Sequence, residues 1–294
     1  MTTTQLLTPV AAERTSFVHK AFGGVRNLPR SVQIGLVIVT VMVLAAAFAP
    51  IVAPYGPNDL NFGAALQPPS LAHLMGTDEN GRDLFSRCLY ALRLDFLVVF
   101  FVTYVPLPFG VVVGAVAGYF GRATDSVIAR FTDVIVAVPF LVLVAAVVAV
   151  VGPGMTGVLI AVPIVSWAMY ARLARSEMLV MRELAYMDAC VALGFSRTRT
   201  IFRHGVPNLI RSSLVYSTVD LMGNFLLLAG LSYLGLGAQP PQAELGAIIA
   251  DGQSYILTAW WLATLPGLVL VIFGIGVGMI GEGLSDRRAK GALA

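Results

Sequence analysis

The sequence predicts an all-α integral membrane protein of six transmembrane helices with both termini in the cytoplasm. Composition is the first reason. Of 294 residues, 57% are hydrophobic and only 12% charged, against about 25% charged in an ordinary soluble domain. The second is segment length: apolar runs of the ~20 residues needed to cross a bilayer recur between polar stretches. The third is charge placement. With both termini inside, sixteen of the nineteen Lys and Arg residues fall on the cytoplasmic side and three in the first external loop. The reverse orientation would violate the positive-inside tendency.

Residues 1–30 form a polar cytoplasmic tail with Arg14, Lys20, Arg26 and Arg30 against one acid, Glu13. The transmembrane domain occupies 31–281. Its first span, Val32–Ala53, is uncharged. A cleaved signal sequence is the rival reading, from the small-residue pattern at Ala47-Phe48-Ala49, but the apolar run and its leader are too long. Residues 54–95 make the first external loop, extended through Pro54, Pro57, Pro68 and Pro69. From Gly81 to Asp95 the pattern predicts an amphipathic helix along the outer membrane surface. Leu84, Phe85, Cys88, Leu89 and Leu92 share one face, with Arg82, Asp83, Ser86, Arg87 and Arg93 largely elsewhere. It is either a surface anchor or a partner contact.

The second span, Phe96–Phe120, carries Pro106 and Pro108, which predict a kink. Gly110, Gly114 and Gly118 follow at four-residue spacing, a smooth strip for close helix packing. The third, Val127–Val151, begins with Arg130 and Asp133 three apart on one face, placed to pair. Gly152-Pro153-Gly154 predicts a tight turn into the fourth, Met155–Ala171, which contains Pro163. The fifth, Ser212–Leu234, holds Ser213, Ser217, Asp220 and Asn224 along one face. A carboxylate at that depth is costly and points to function. The stripe either lines a translocation path or bonds to a neighbouring helix. Residues 235–258 form a second external loop with Pro240-Pro241, Glu244 and Asp251. The sixth span, Ala259–Gly281, brings Gly274 and Gly278 as another small-residue strip and Trp260 and Trp261 to the outer interface. Residues 282–294 are a basic cytoplasmic tail.

A cytoplasmic loop, 172–211, joins the fourth and fifth spans. Its core reads ELAYMDACVALGFSRTRTIFRHGVPN, residues 183–208. A helix over Ser176–Leu193 is expected to end at Gly194 in a left-handed turn. Ser196 is placed to cap a second short helix through His204, and Pro207 to close the unit. The product is a hook. Tyr186, Met187, Ala189, Cys190, Ala192, Leu193 and Phe195 give it an apolar tip, and Arg197, Arg199 and Arg203 a basic flank. Such a hook suits either a partner's cleft or a bed of anionic lipid headgroups.

Several chemistries are excluded. The two lysines, Lys20 and Lys290, do not follow glycine, so the chain has no phosphate-binding GxxxxGK[ST] loop. His19, His73 and His204 are scattered, and no metal-ligand spacing occurs. Cys88 and Cys190 fall on opposite sides of the membrane and cannot pair. A formal charge of +3 is too small to argue for nucleic acid. No histidine lies within a span and Asp220 has no strong acidic partner there, which argues against an intramembrane enzyme. A self-sufficient channel or secondary transporter is the rival that needs no ATPase.

The hook resembles the cytoplasmic signature of ABC import permeases: EAA, three residues, Gly, nine residues, then I-x-L-P. Asp188-Ala189-Cys190 stands for EAA, Gly194 falls at the required distance, His204 takes the Ile position, and Val206-Pro207 the closing pair. HLMGTDENGRDLFSR at 73–87, GYFGRATDSVIARFTDVIVAVP at 118–139, IFRHGVPN at 201–208, LSYLGLGAQPP at 231–241 and GEGLSD at 281–286 are similar to segments of dipeptide, oligopeptide and nickel permeases. They most resemble the second of the two related permease subunits, the one with a long first external loop. Where many relatives carry a glutamate five residues before the Tyr or Phe of the LSYLGLG segment, this chain has Leu228. That role is absent here or moved, with Asp220 the candidate.

The resemblance implies a type I ABC importer permease fold in a bacterial or archaeal cytoplasmic membrane. It implies a homologous permease partner, two cytoplasmic ATPase subunits that bind ATP and Mg, and an extracytoplasmic substrate-binding protein. No cofactor is expected in this chain. ATPase coupling falls to Tyr186, Met187, Asp188, Ala189, Cys190, Leu193, Gly194, Phe195, Arg197, Arg199, Arg203 and Pro207. Di- or oligopeptides are the expected cargo, with nickel complexes or haem as alternatives within the family's range.

Overall fold

A computed structural model describes residues 28–292, with side chains described as far as Gly283. The tail bearing Arg14, Lys20 and Arg26, and the side chains of Arg287, Arg288 and Lys290, lie outside the described residues. Among the described residues regular structure is helical, apart from one isolated bridge between Thr77 and Asp83. The helices are α1 Arg30–Ala47, α2 Ala49–Val52, α3 Leu84–Tyr104, α4 Pro106–Phe120, α5 Arg122–Ala137 and α6 Phe140–Val151. Then follow α7 Met155–Met181, α8 Ala185–Ala192, α9 Arg197–Thr200, α10 Val206–Tyr233, α11 Leu245–Gln253 and α12 Trp261–Ala292.

Five helical runs are long and apolar enough to cross a membrane: Arg30–Ala47, Leu84–Phe120, Met155–Met181, Arg197–Tyr233 and Trp261–Gly283. The expected third span is instead a pair, α5 and α6, bent by 89° at Val138-Pro139. The pair still carries the chain from one end of the bundle to the other. Its start lies beside Arg182, whose Nη1 donates to Gly118 O. Its exit turn lies at the opposite end, where Gly154 N donates to Leu236 O. Pro139 explains the bend: it lacks an N–H and holds Val138 extended, at ψ 136°. α1 and α12 run antiparallel, with Val32 against Gly283, so the ends of the bundle's first and last helices meet.

The glycine strip on α4 does what its spacing predicts. A Cβ at Gly110 would lie 2.5 Å from Trp167 O, and one at Gly118 2.8 Å from Arg175 O. A Cβ at Gly114 would run into Ala171 O. The α7 backbone therefore lies directly on α4, which only glycine permits. Pro106 separates α3 from α4 at Val105 without turning the chain away, and the two form one 37-residue run. On α12 the strip is displaced from its expected register. Gly276 meets Ile38 and Val39 of α1, Gly35 meets Gly276 O, and Gly278 faces open space.

The first external loop departs most from expectation. The helix begins at Leu84, not Gly81, and runs into the membrane span. Arg82, Asp83, Ser86 and Arg87 are buried beneath residues 54–80 and do not lie on an outer surface. The cause is a fold-back of the proline-rich segment, which brings acceptors to these groups. Arg82 Nε bonds Asp78 Oδ2 at 2.6 Å, and Arg87 Nη1 donates to Pro57 O at 3.2 Å. Asp83 caps α3, accepting from Ser86 N at 2.8 Å, and pairs with His73 Nδ1 at 2.9 Å. The second loop also folds inward, as α11. Glu244 caps that helix through Ala247 N at 2.8 Å and is fully buried. One residue on, Leu245 N donates to the buried Asp95 of α3 at 3.3 Å. Trp261 is likewise buried, its Nε1 donating to Thr77 O, while Trp260 stays half exposed.

Two predictions follow from this packing. Gly114→Ala should lower stability by about 1–3 kcal/mol, as overpacking does, whereas Gly278→Ala should be neutral or slightly stabilising. Thermal unfolding in detergent distinguishes them, and equal midpoints would sink the seam. Burial pushes the Glu244 carboxyl above the usual glutamate range. The folded state then holds the proton more tightly, so stability should decline as pH rises from the ordinary glutamate range through the raised value. Glu244→Gln should flatten that decline.

Candidate functional site

The hook is built from short helices around a glycine elbow. α7 continues unbroken past Ala171 to Met181, then breaks at Arg182–Leu184 before α8. The single expected helix over 176–193 is thus two. Gly194 adopts φ 75°, the left-handed conformation required to stop α8. Ser196 caps α9, its hydroxyl accepting from Arg199 N at 3.3 Å. Pro207 does not close the unit. A π turn at Ile201–Gly205 leads directly into α10, and Pro207 sits in that helix's first turn, where its missing N–H costs nothing.

Side-chain directions divide the expected apolar tip. Met187 and Cys190 are buried, and Met187 joins a core shared with Tyr170, Ala174 and Met178 of α7 and Val111 of α4. Tyr186, Leu193, Ala189, Ala192 and Asp188 are exposed, and Phe195 is partly so. Arg197, Arg199 and Arg203 are exposed as a flank. Arg199 lies over the Phe195 ring at 4.0 Å, and Phe195 stacks on His204 at 5.6 Å. Arg197 sits 5.8 Å from the Phe120 ring at the end of α4. The contacts of Arg197 and Arg199 hold those two groups near aromatic rings while leaving their charge presented outward.

Ion pairs brace the ground beneath the hook. Arg175 of α7 binds Asp125 of α5 through two nitrogens, one at 2.7 Å. Arg172 pairs with Asp133 at 3.4 Å, so the expected Arg130–Asp133 pair is replaced by a contact between helices. Glu177 accepts from Ser212 and ties α7 to α10. Met178 touches Gly118 on one side and Gly205 on the other, joining the α4 seam to the π turn.

Of the polar stripe on α10, Asp220 and Asn224 bond to neighbouring helices, Ser217 donates to Leu214 O of its own helix, and the Ser213 hydroxyl has no partner among the described residues. Ser213 and Ser217 are fully buried, as is Asn224, which donates to Thr103 Oγ1 of α3 at 3.0 Å. Asp220 accepts from Tyr170 of α7 at 2.8 Å and from Asn224 at 3.1 Å. Of the four, Asp220 alone keeps part of its surface open. Leu228, two turns further along, is buried in the apolar core.

Comparison with known proteins adds its own evidence. Residues 110–290 match the family described as the binding-protein-dependent transport system inner membrane component. The chain belongs to that family. Residues 30–69 match the N-terminal transmembrane domain of oligopeptide transport permease C. The chain is 38% identical over 253 residues to the dipeptide transport system permease protein DppC of Alkalihalophilus pseudofirmus, covering 86% of this chain and 83% of that one. It is 37% identical to the probable D,D-dipeptide permease DdpC of Escherichia coli K12, covering 85% and 84%. It is 34% identical to the glutathione permease GsiD of Pectobacterium atrosepticum, covering 89% and 87%. This permease component is therefore a multi-pass inner-membrane protein, itself non-catalytic, that works with a binding protein and leaves ATP to partner subunits.

Sequence reasoning missed two buried acids of this permease, Asp95 and Glu244. The signal was present as an acid inside an apolar helix and an acid preceding a short apolar run, but only the fold-back of α11 brings them to one turn. The Tyr170–Asp220 bond also required the fold. Tyr170→Phe should lower the unfolding midpoint in detergent, with a cost of about 0.5–1.5 kcal/mol for one lost hydrogen bond. An unchanged midpoint would remove the Tyr170–Asp220 bond from the packing scheme.

Proposed function

We propose that this chain is a permease subunit of an ATP-driven importer for di- or oligopeptides, with its hook end in the cytoplasm. Relatives named for dipeptides, D,D-dipeptides and glutathione support short peptides as cargo. It pairs with a homologous permease of the same class, engages two ATPase subunits, which bind Mg with ATP, and receives cargo from an extracytoplasmic binding protein. The long first external loop, 54–83, supports the reading as the second permease of such a pair.

The observation that carries the mechanism is the hook's two-sidedness. Its outer surface presents Tyr186, Asp188, Leu193 and three arginines, while its inner surface is fixed by Met187 to α4 and α7. An ATPase that grips the outer surface thereby moves helices. When the ATPase pair closes, α8 and α9 shift as a unit. Met187 and Met178 pass the displacement to the α4–α7 seam, which rocks as a rigid body. Asp220, with its open side, lies on α10, the helix continuous with the hook, and contributes to one wall of the path, while the expected path residues Ser213, Ser217 and Asn224 are buried behind it.

Reconstituted importer tests this. Asp188→Ala, at an exposed residue, should leave insertion and assembly intact yet reduce peptide uptake per ATP hydrolysed at least tenfold. Gly194→Val should do the same by forcing a β-branched residue into the left-handed region. Normal coupled transport in both variants would defeat the hook.

A further inference from the structure

At the end of the bundle opposite the hook, the two external loops enclose a cavity of about 300 Å³, the size of the smaller sites that take small molecules. Its wall holds Arg82 from the first loop's end, Arg87 from the first turn of α3 and Asp251 from α11, with Glu79 at the side and Gln239 and Gln242 beyond. Charges of both signs therefore line one space.

They attract across it but form no direct ion pair. Among the described residues, Arg82 binds Asp78 through Nε, and Arg87 bonds Pro57 O through Nη1 with Nε 3.7 Å from the same Asp78. Two guanidinium groups thus share one carboxylate, and neither forms an ion pair with Asp251 or Glu79. Both arginines are more than nine-tenths buried and held in place by the folded loop. Each guanidinium has five donors in a fixed fork, so unused donors remain on rigid supports. Opposite them, Glu79 makes one long bond, from Asn80 at 3.5 Å, and Asp251 makes none among the described residues. Burial pushes the Glu79 carboxyl up, and the nearby Asp251 and Asp78 charges push it further. Asp251, open on its outer side, is raised by partial burial against the lowering pull of the Arg87 and Arg82 charges. The Arg82 and Arg87 charges draw both acids down, but no contact closes into an ion pair with either.

Side chains that merely stabilised the loops would have closed the gap as ion pairs. Held apart, they suit a molecule that carries both charges. We propose that this cavity is an external waypoint for a zwitterionic peptide, its carboxylate on Arg82 and Arg87 and its ammonium group on Asp251 and Glu79. This rests on the peptide-importer reading and adds to it a site on the permease itself.

The test uses the complete importer in nanodiscs without its binding protein, titrated with L-alanyl-L-alanine, its N-acetyl form and its C-terminal amide. The free dipeptide should bind, and either blocked form should bind at least tenfold more weakly. Asp251→Asn, at an exposed residue that leaves folding intact, should weaken the free dipeptide comparably while leaving the N-acetyl form unaffected. Glu79→Gln provides a second, milder loss. Equal binding of free and blocked peptides, or no dipeptide binding at all, would overturn the site. So would an Asp251→Asn defect confined to binding-protein association, which would make the cavity a protein-docking surface. Binding-protein-dependent, ATP-driven uptake of the free dipeptide by the unaltered importer is measured in parallel. If uptake persists while the cavity ignores peptide ends, only the waypoint fails; if no peptide is taken up, the cargo reading fails.

Discussion

The close approach of α4 and α7 is the constraint on which the rest depends. Between helices in a bilayer there is little hydrophobic driving force, so association relies on contact and on hydrogen bonds. Gly110, Gly114 and Gly118 let backbone meet backbone over two turns. That seam fixes the direction in which α7 leaves the bundle. It places Arg175 on Asp125 and sets Met178 between Gly118 and Gly205. The hook is therefore an extension of a rigid pair of helices, and not a loop hung from two span ends.

Most buried polar groups find partners within the chain, although among the described residues Asp95 Oδ1, Ser166 Oγ, His204 Nε2, Ser213 Oγ and Glu244 Oε1 have none. Asp220 finds Tyr170 and Asn224, Arg82 finds Asp78, and Asp83 finds His73 and Ser86. An unpaired group in so apolar a setting would cost several kcal/mol. This explains why the first external loop is folded back on itself rather than extended. Where pairing is incomplete, at the acids Glu79 and Asp251 and the shared arginine donors, the groups face a cavity.

Features governed by neighbours in sequence were legible. Gly194 stops a helix because its own φ is positive, Ser196 caps because its hydroxyl reaches three residues on, and the α4 strip follows from helical spacing. Features governed by distant partners were not. An amphipathic pattern at 81–95 cannot distinguish water from a covering loop, since both satisfy arginine. Pro207 reads as a terminator, but a proline in a helix's first turn is equally at ease, and the π turn before it left no pattern. Met187 and Cys190 read as part of an exposed tip because which side of α8 faces the bundle depends on where α7 ends.

The sequence by itself determined the membrane class, the six crossings, the location of the hook and its glycine elbow, because these follow from composition, charge and local backbone preference. Tertiary structure alone decided which polar residues are buried and against what. It turned the segment after α10 inward as α11 beside Asp95. It also tied the hook to the α4–α7 seam through Met187. The physical reason is that burial and pairing are properties of two surfaces, and one sequence window describes only one of them.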